Sequence, residues 1–380
     1  MRIGLITTFN SNFGDDLIRE GICLILREVF KQDEIAFIPI NKFDPLMVYP
    51  DWHPIPLIHS ATQLLPRGRN RTQRWAQKLV YRVGFSRLDD CDLIVQCGTP
   101  VIWPGCSRCG WAEPLWRQVV GRLNRKGMDV LNLGAGSCYP WEAGLRPPLD
   151  ESDADYMKEI FGYCRITTAR DTLAQHLFES LGCRAPLIPC PAMLAGRPFI
   201  KRHTDGEFIV INYMEKGGHF EWGQGINSGA WREVVKIVTQ TIRKKHRVLF
   251  LCHNQKEYEL AVEIAPDVPR FLPTNPREYF SVLAEATIGI CNRIHAVIAL
   301  AGLGVPSVAI GTDTRLLAVE ALNLPYVYVK EATVEKLEDA LQNLVTSRQQ
   351  ERERLLTLQE QTWAQYIDVV ENASRCPTFS

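Results

Sequence analysis

The sequence predicts an α/β protein made of two Rossmann-like domains, each a doubly wound parallel sheet, facing across a cleft. Three observations carry this prediction. Short β-branched runs alternate with helical patterns along the whole chain, which is the signature of βαβ units. The strand segments are near-continuous apolar runs, so helices should cover both faces of each sheet. The chain has 380 residues, 46% of them hydrophobic, and one core rarely serves that length.

In the first half the strands are read as "RIGLITTF", "IAFIPI", "DLIVQCG", "DVLNLGAG" and "RITTA". Helical spacing marks 15–30, 111–126 and 171–181. In the second half the strands are "FIVINY", "RVLFLCH", "TIGICN", "PSVAIG" and "YVYV". Helices are expected at 229–245, 276–285, 294–303 and 313–322, and a long one at 332–372. The break falls at 184–206, which is Pro-rich and ends polar and charged, as linkers do. The expected units are 1–195, an N-terminal Rossmann-like domain, and 205–345, a C-terminal Rossmann-like domain. A helix and tail occupy 346–380. No internal repeat is visible.

Lys plus Arg number 43 and Asp plus Glu number 43, so the overall balance gives no support for a nucleic-acid partner. The 12 cysteines are scattered, several in apolar strand runs such as "DLIVQC" and "RVLFLC", as reduced core cysteines are. A disulfide-stapled secreted chain would be shorter and richer in turns. The N-terminal "MRIGLITTFNSNFGDD" enters a strand with no signal-peptide core, and no stretch reaches the ~18 apolar residues of a membrane span. A soluble, cytoplasmic protein is expected.

Residues 41–90 break the α/β rhythm. They carry Pro45, Pro50, Pro54, Pro56 and Pro66, then Arg67, Arg69, Arg71, Arg74, Lys78, Arg82 and Arg87. Trp75, Leu79 and Val83 share one helical face. This is either a solvated surface helix or a basic amphipathic patch within 67–87 that touches an anionic acceptor or a membrane surface.

The chemistry concentrates where strands end and helices begin, the place where open α/β sheets bind ligands. In "TIGICN" followed by "HAVIALAGLG", Arg293 and His295 stand at such a junction. A helix N-terminus favours an anion, an arginine adds a planar fork for carboxylate or phosphate, and a histidine moves protons near neutral pH. The bland alternative is that His295 caps the helix and Arg293 pairs with a carboxylate. "CRITTARDTLAQHLFESLG" places Arg170 and Asp171 at a second junction, with Asp171 or Thr172 as a cap and Arg170 open to an ion pair. "TTFNSNFGDDLIREGI" is a third: Asn12 and Gly14 turn the chain, and Asp15 or Asp16 starts the helix. Asp15 is either a cap or a group that meets sugar hydroxyls. "NLGAGS", with Gly134 and Gly136, reads as a glycine-rich turn after a strand and a wall for acceptor or phosphate. Cys106 and Cys109 form a lone CxxC, read as loop cysteines, so no metal site is expected. HExxH, Walker A, GxSxG and GxGxxG are absent.

Taken in order, "NFGDDLI", "GAGS", "TTARDTLAQHLFESLGC" and "CNRIHAVIALAGLGVPSVAIGTDTR" resemble the polysaccharide pyruvyl transferase family, over roughly 1–311. The resemblance implies a fold like the GT-B glycosyltransferases. It also implies transfer of pyruvate from phosphoenolpyruvate to sugar hydroxyls as a ketal, with no cofactor beyond that donor. Arg170, Arg293 and His295 match the family's phosphoenolpyruvate site, and Asp15 its N-terminal aspartate. His295 is then the expected acid and Asp15 the group that orients or deprotonates a hydroxyl. The chain departs from the family's pattern at "QCGTPVIWPGCSRCGW", where glycines usually run, and at Cys190-Pro191, where Asp-Pro is usual. Both departures fall on the N-terminal half, which by this resemblance should hold the acceptor, with the donor on the C-terminal half. Competing readings are a nucleotide-sugar glycosyltransferase of the same architecture, and a non-catalytic binding protein that keeps the fold.

Overall fold

A computed structural model describes residues 1–8, 13–47, 49, 52–54, 56–57, 79–98, 100–200, 206–215 and 225–375. Asn12 and residues 67–78 of the basic stretch lie outside the described residues.

The first sheet contains β1 (Arg2–Thr7), β2 (Ala36–Asn41), β3 (Leu93–Cys97), β4 (Pro100–Ile102), β5 (Asp129–Ser137) and β6 (Ile166–Ala169). Its order is β2-β1-β3-β5-β4, with β6 also on β5, and every pairing is parallel. The second contains β7 (Phe208–Asn212), β8 (Val248–Leu251), β9 (Arg270–Phe271), β10 (Ala286–Cys291), β11 (Ser307–Gly311) and β12 (Tyr326–Tyr328). It too is wholly parallel, in the order β12-β11-β10-β7-β8-β9. The chain reverses direction across this sheet between β7 and β10, so a crevice opens beyond their carboxyl ends.

The helices are α1 (Phe13–Val29), α2 (Gly121–Asn124), α3 (Glu151–Tyr163), α4 (Thr172–Ser180), α5 (Ser228–Ile242), α6 (Gln255–Ile264), α7 (Pro276–Leu283), α8 (Ile294–Gly302) and α9 (Val334–Arg375). In α1 one face buries Leu17, Ile18, Ile22, Ile25 and Leu26; in α8 every residue after Ile294 is buried, as befits a helix enclosed on all sides.

Four expectations are corrected. The helix read at 111–126 is a π-helical segment, Ala112–Val120, running into α2, and 313–322 is a 3-10 helix, Thr314–Leu322. "NLGAGS" is not a turn after a strand: Asn132–Ser137 is the buried end of β5 itself. The stretch 184–206 is not a solvated linker throughout. Ala192, Met193 and Leu194 have no exposed surface and belong to the main core. The chain presses onto two helices there. A Cβ on Gly21 of α1 would lie 1.9 Å from the Pro191 carbonyl oxygen, and one on Gly302 of α8 would lie 2.1 Å from that of Met193. Glycine alone permits such backbone approach.

The long α9 runs through the position expected to divide the second domain from a tail, and it holds both halves. Tyr366 donates to the Pro189 carbonyl (3.1 Å), Arg165 to that of Ala373 (3.0 Å), and Gln359 to those of Met193 and Gly302. Across the cleft, Thr314 N donates to Tyr139 O (3.0 Å) and Tyr139 N to Thr314 Oγ1 (2.8 Å). Among the described residues, no helix is long and apolar enough to cross a membrane.

Candidate active site

The floor of the cleft is built from the carboxyl ends of β7, β10 and β11. A strand end leaves backbone groups without ladder partners, and here two asparagines satisfy them. Asn212 closes β7: its Oδ1 accepts the Arg293 N–H (2.7 Å) and its Nδ2 donates to Leu251 O (2.8 Å) and to Glu257 Oε2 (3.2 Å). Asn292 follows β10: it accepts from Trp231 Nε1 (3.0 Å) and donates to Ile310 O (3.1 Å).

This scaffold fixes two arginines. Arg293 is the residue that begins α8, in extended conformation with no side-chain cap. Its Nε donates to Glu257 Oε1 (2.8 Å), whose carboxylate is buried and also accepts the His253 N–H (2.9 Å). Arg315 grips Asp313 with two bonds, Nε to Oδ1 at 2.8 Å and a terminal nitrogen to Oδ2 at 2.7 Å. Burial holds each pair tightly, since removing one partner would strand a charge away from water.

Arg170 comes from the other half, just past β6. It is 3% exposed. Its backbone N donates to Ala135 O (2.9 Å), and one guanidinium nitrogen lies 3.3 Å from His295 Nε2 and 3.7 Å from Cys190 Sγ. Among the described residues no carboxylate reaches it within ion-pair distance. Its neighbour Asp171 caps α4, accepting from Ala174 N (2.8 Å), and also holds Ser137 through its N–H (2.9 Å) and hydroxyl (2.7 Å).

Glycines make room for the Arg170 and His295 side chains. A Cβ on Gly136 would fall 2.4 Å from Arg170 Nε, and one on Gly14 would fall 2.0 Å from His295 Nδ1. Gly14 and Gly136 therefore act by admitting a site side chain. Gly134, at φ +72°, accommodates Pro191 and takes no part in the cleft's polar wall.

Arg170, His253, Arg293, His295, Asp313 and Arg315 line one pocket. Burial pushes the His295 imidazolium well below its usual range, and Arg170, Arg315, His253 and Arg293 push the same way. Burial thus favours the neutral imidazole of His295 in the unliganded cleft. Burial likewise lowers His253, to about 4, against the opposing pull of Glu257.

On the first half, Asp15 in the opening turn of α1 and Lys42 just past β2 are both buried. Burial raises Asp15 above its usual range, opposed by Lys42 and Arg170. Burial lowers Lys42 to about 8, opposed by Asp15. The ammonium lies 4.8 Å from the Trp111 ring centre and 5.3 Å from that of Phe43, a geometry that favours the cation.

The structure therefore brings Arg170, Arg293, His295 and Gly14 to one cleft, with Asp15 coupled to it through Arg170. Arg293 realises the bland alternative, a carboxylate pair, while still lining the pocket. Sequence reasoning missed Lys42, His253, Glu257, Asp313 and Arg315. Lys42 and His253 carry the signal already used for Arg170, a titratable residue one or two positions past a strand. Cys106 and Cys109 are free, and among the described residues no cluster of His, Cys, Asp or Glu could hold a metal ion. Three guanidiniums and two neutral imidazoles facing one cleft suit a small anion of high charge.

The fold is GT-B-like, with a polar cleft between two parallel-sheet domains. The family model for polysaccharide pyruvyl transferase matches residues 12–314, and the chain belongs to that family. Among solved structures it is similar to UDP-GlcNAc 2-epimerase from Neisseria meningitidis bound to UDP-GlcNAc (TM-score 0.57, 10% identity, 98% of this chain and 100% of that one). A trehalose-6-phosphate synthase, OtsA, is similar at TM-score 0.57 and 9% identity, over 99% and 100% of the two chains. S. aureus MnaA with UDP follows at TM-score 0.54 and 12% identity, over 99% and 97%. At these identities the likeness establishes the fold alone. No curated protein is similar enough in sequence to count as a relative.

Proposed function

We propose that the protein transfers pyruvate from phosphoenolpyruvate to two hydroxyls of a sugar, forming a ketal during surface polysaccharide assembly. The observation that carries this reading is the contact between Arg170 of one half and His295 of the other, 3.3 Å apart in a pocket also lined by Arg293 and Arg315. Phosphoenolpyruvate presents a phosphate and a carboxylate, and the cleft offers cations from both sides.

In this scheme the donor's negative charge offsets the arginines that depress His295, and the imidazole becomes protonated as the donor binds. His295 then gives its proton to the donor's methylene carbon while a sugar oxygen bonds to C2. Asp15 accepts the proton of that hydroxyl. The second hydroxyl closes on C2 as the C2–O bond to phosphate breaks, and its proton leaves with the phosphate. The arginines stabilise the departing charge. The scheme asks for no metal or further cofactor.

The acceptor approaches from the first half, where Asp15 and Lys42 lie. The segment beyond β2 exposes Trp52 (75%), Leu57 and Leu79 and leads into the basic residues of 67–87. These features support a cytoplasmic enzyme that touches an anionic membrane or a lipid-linked glycan.

The test is phosphate release from phosphoenolpyruvate in the presence of candidate glycans, with thermal-shift screening against UDP- and GDP-sugars alongside. Turnover should require phosphoenolpyruvate and vanish in His295→Ala. Stabilisation by a nucleotide sugar with none by phosphoenolpyruvate would replace this reading with a glycosyltransferase. Binding of a donor without turnover on any glycan would leave a binding protein.

A further inference from the structure

We propose that His253 is a donor-binding residue whose Nδ1–H hydrogen-bonds the anionic group of the ligand held between Arg293 and His295. This deepens the phosphoenolpyruvate reading and rests on it for the identity of the anion.

His253 stands two residues past β8, and its ring lines the pocket beside Arg293 and His295. Three contacts hold it. Its backbone N–H donates to Glu257, the carboxylate that also grips Arg293, so His253 and Arg293 are set by one group. Its ring packs against Phe13 of the other half (5.8 Å) and edge-on to Tyr279 (5.6 Å). Its Nε2 lies 3.3 Å from the Tyr279 hydroxyl.

That last contact assigns the tautomer. Tyr279 is fully buried, and burial drives its phenol well above its usual range, so it keeps its proton. Among the described residues its hydrogen-bonding neighbour is His253 Nε2, and donating to that nitrogen is the arrangement that satisfies the buried O–H. A neutral imidazole accepting at Nε2 carries its hydrogen on Nδ1. Yet Nδ1 is buried with no partner among the described residues. A buried N–H donor left unmade costs free energy that a ligand acceptor would recover. Two arginines and His295 beside it select an anion for that role. Among the pocket's polar side chains, Arg293 and Arg315 are already engaged with carboxylates, while this nitrogen is not.

Asparagine and leucine separate binding from packing at this position. The Asn amide nitrogen falls near the place of Nδ1, whereas Leu fills the space without a donor. Calorimetric titration of the full chain with phosphoenolpyruvate, and in parallel with inorganic phosphate, should show affinity within about threefold of wild type for His253→Asn. His253→Leu should lose about tenfold or more, the worth of one charge-assisted hydrogen bond. Equal affinity in wild type and His253→Leu, or equal loss in both variants, overturns the proposal. If wild type binds phosphate but not phosphoenolpyruvate, the donor reading fails, and the phosphate series still decides His253. If wild type binds neither anion, both fall. Should His253→Leu not fold, wild type labelled with 15N-histidine gives a second reading, with the His253 signals identified by their loss in His253→Asn. The Nδ1 resonance must move on addition of phosphate, and one that stays in place overturns the proposal.

Discussion

Arg293 and Arg315, on the second half, differ from Arg170, on the first, in what neutralises them. The former two are locked to buried carboxylates, Glu257 and Asp313, within a frame of asparagine side chains. Arg170 meets an imidazole and a thiol, with carboxylates acting only at longer range. The second half thus supplies orientation, and the first supplies net positive charge. A bound anion gains most from the guanidinium whose charge is not already spoken for.

The sharpest way to break this contrast is to remove each arginine in turn. Arg170→Ala should lower phosphoenolpyruvate-dependent phosphate release by about 10²–10³-fold, the effect of losing a pre-organised electrostatic donor. Arg293→Ala should lose less, because the Glu257 carboxylate already neutralises much of that guanidinium's charge and can take up a proton once freed. Equal losses would mean that the carboxylate pairs do not matter to binding.

Gly14→Ala comes next. Alanine at this point of α1 should stabilise an isolated helix by about 1 kcal/mol. The added methyl would instead meet His295 Nδ1 at 2.0 Å. The imidazole must shift, and a displacement of that order costs about 10²-fold in rate. Measured turnover near wild type would show that His295 has no fixed place in the chemistry.

How much of this was legible beforehand follows from the same geometry. All ten expected strands are present, because an enclosed parallel strand must be an apolar run, and such runs are visible. β4 and β9 were missed, being three and two residues long. The helix α6 was missed because its sequence, QKEYELAVEI, buries only Glu257, Ala261 and Ile264, too sparse a stripe to read. The π-helical segment contains Pro114 in its first turn, a residue with no N–H to donate. Arg170, Arg293 and His295 were legible as strand-end residues. Their partners were not: Glu257 lies 36 positions from Arg293, and no local spacing announces such a pair. The depressed pKa of His295 was equally hidden, since it arises from burial and from arginines supplied by both halves.

Glu257→Gln asks whether orientation is separable from charge. The amide retains the shape but holds Arg293 less firmly, and donor affinity should fall about tenfold, the weight of a charge-assisted bond weakened to a neutral one. Calorimetric titration with phosphoenolpyruvate reads it. Breaking a buried pair can cost about 3–5 kcal/mol of stability; Arg293 keeps a fifth of its side chain exposed, so water relieves part of that, and the thermal midpoint should fall modestly. Loss of affinity without loss of stability would still support an orienting role, whereas an unchanged affinity would remove it.

The smallest effect expected is on stability against pH, and it distinguishes the halves again. His253 in the second half is held at about 4, below its unfolded value of roughly 6.5. Between those values the unfolded chain binds the proton that the folded chain refuses, so stability rises with pH through that window and is lost on acidification. His295 acts in the same direction. Lys42 in the first half is held at about 8, below an unfolded value of roughly 10.4, and its window lies above neutrality: stability should rise there as the buried ammonium gives up its proton. Urea unfolding midpoints from pH 4 to 7 should therefore climb, with a shallower climb in His253→Asn. Saturating phosphoenolpyruvate should flatten the acid limb, because an anion among the arginines restores the histidines' affinity for protons. An acid limb unchanged by the ligand would separate the anion from the histidines and leave Arg170 as the main electrostatic contact.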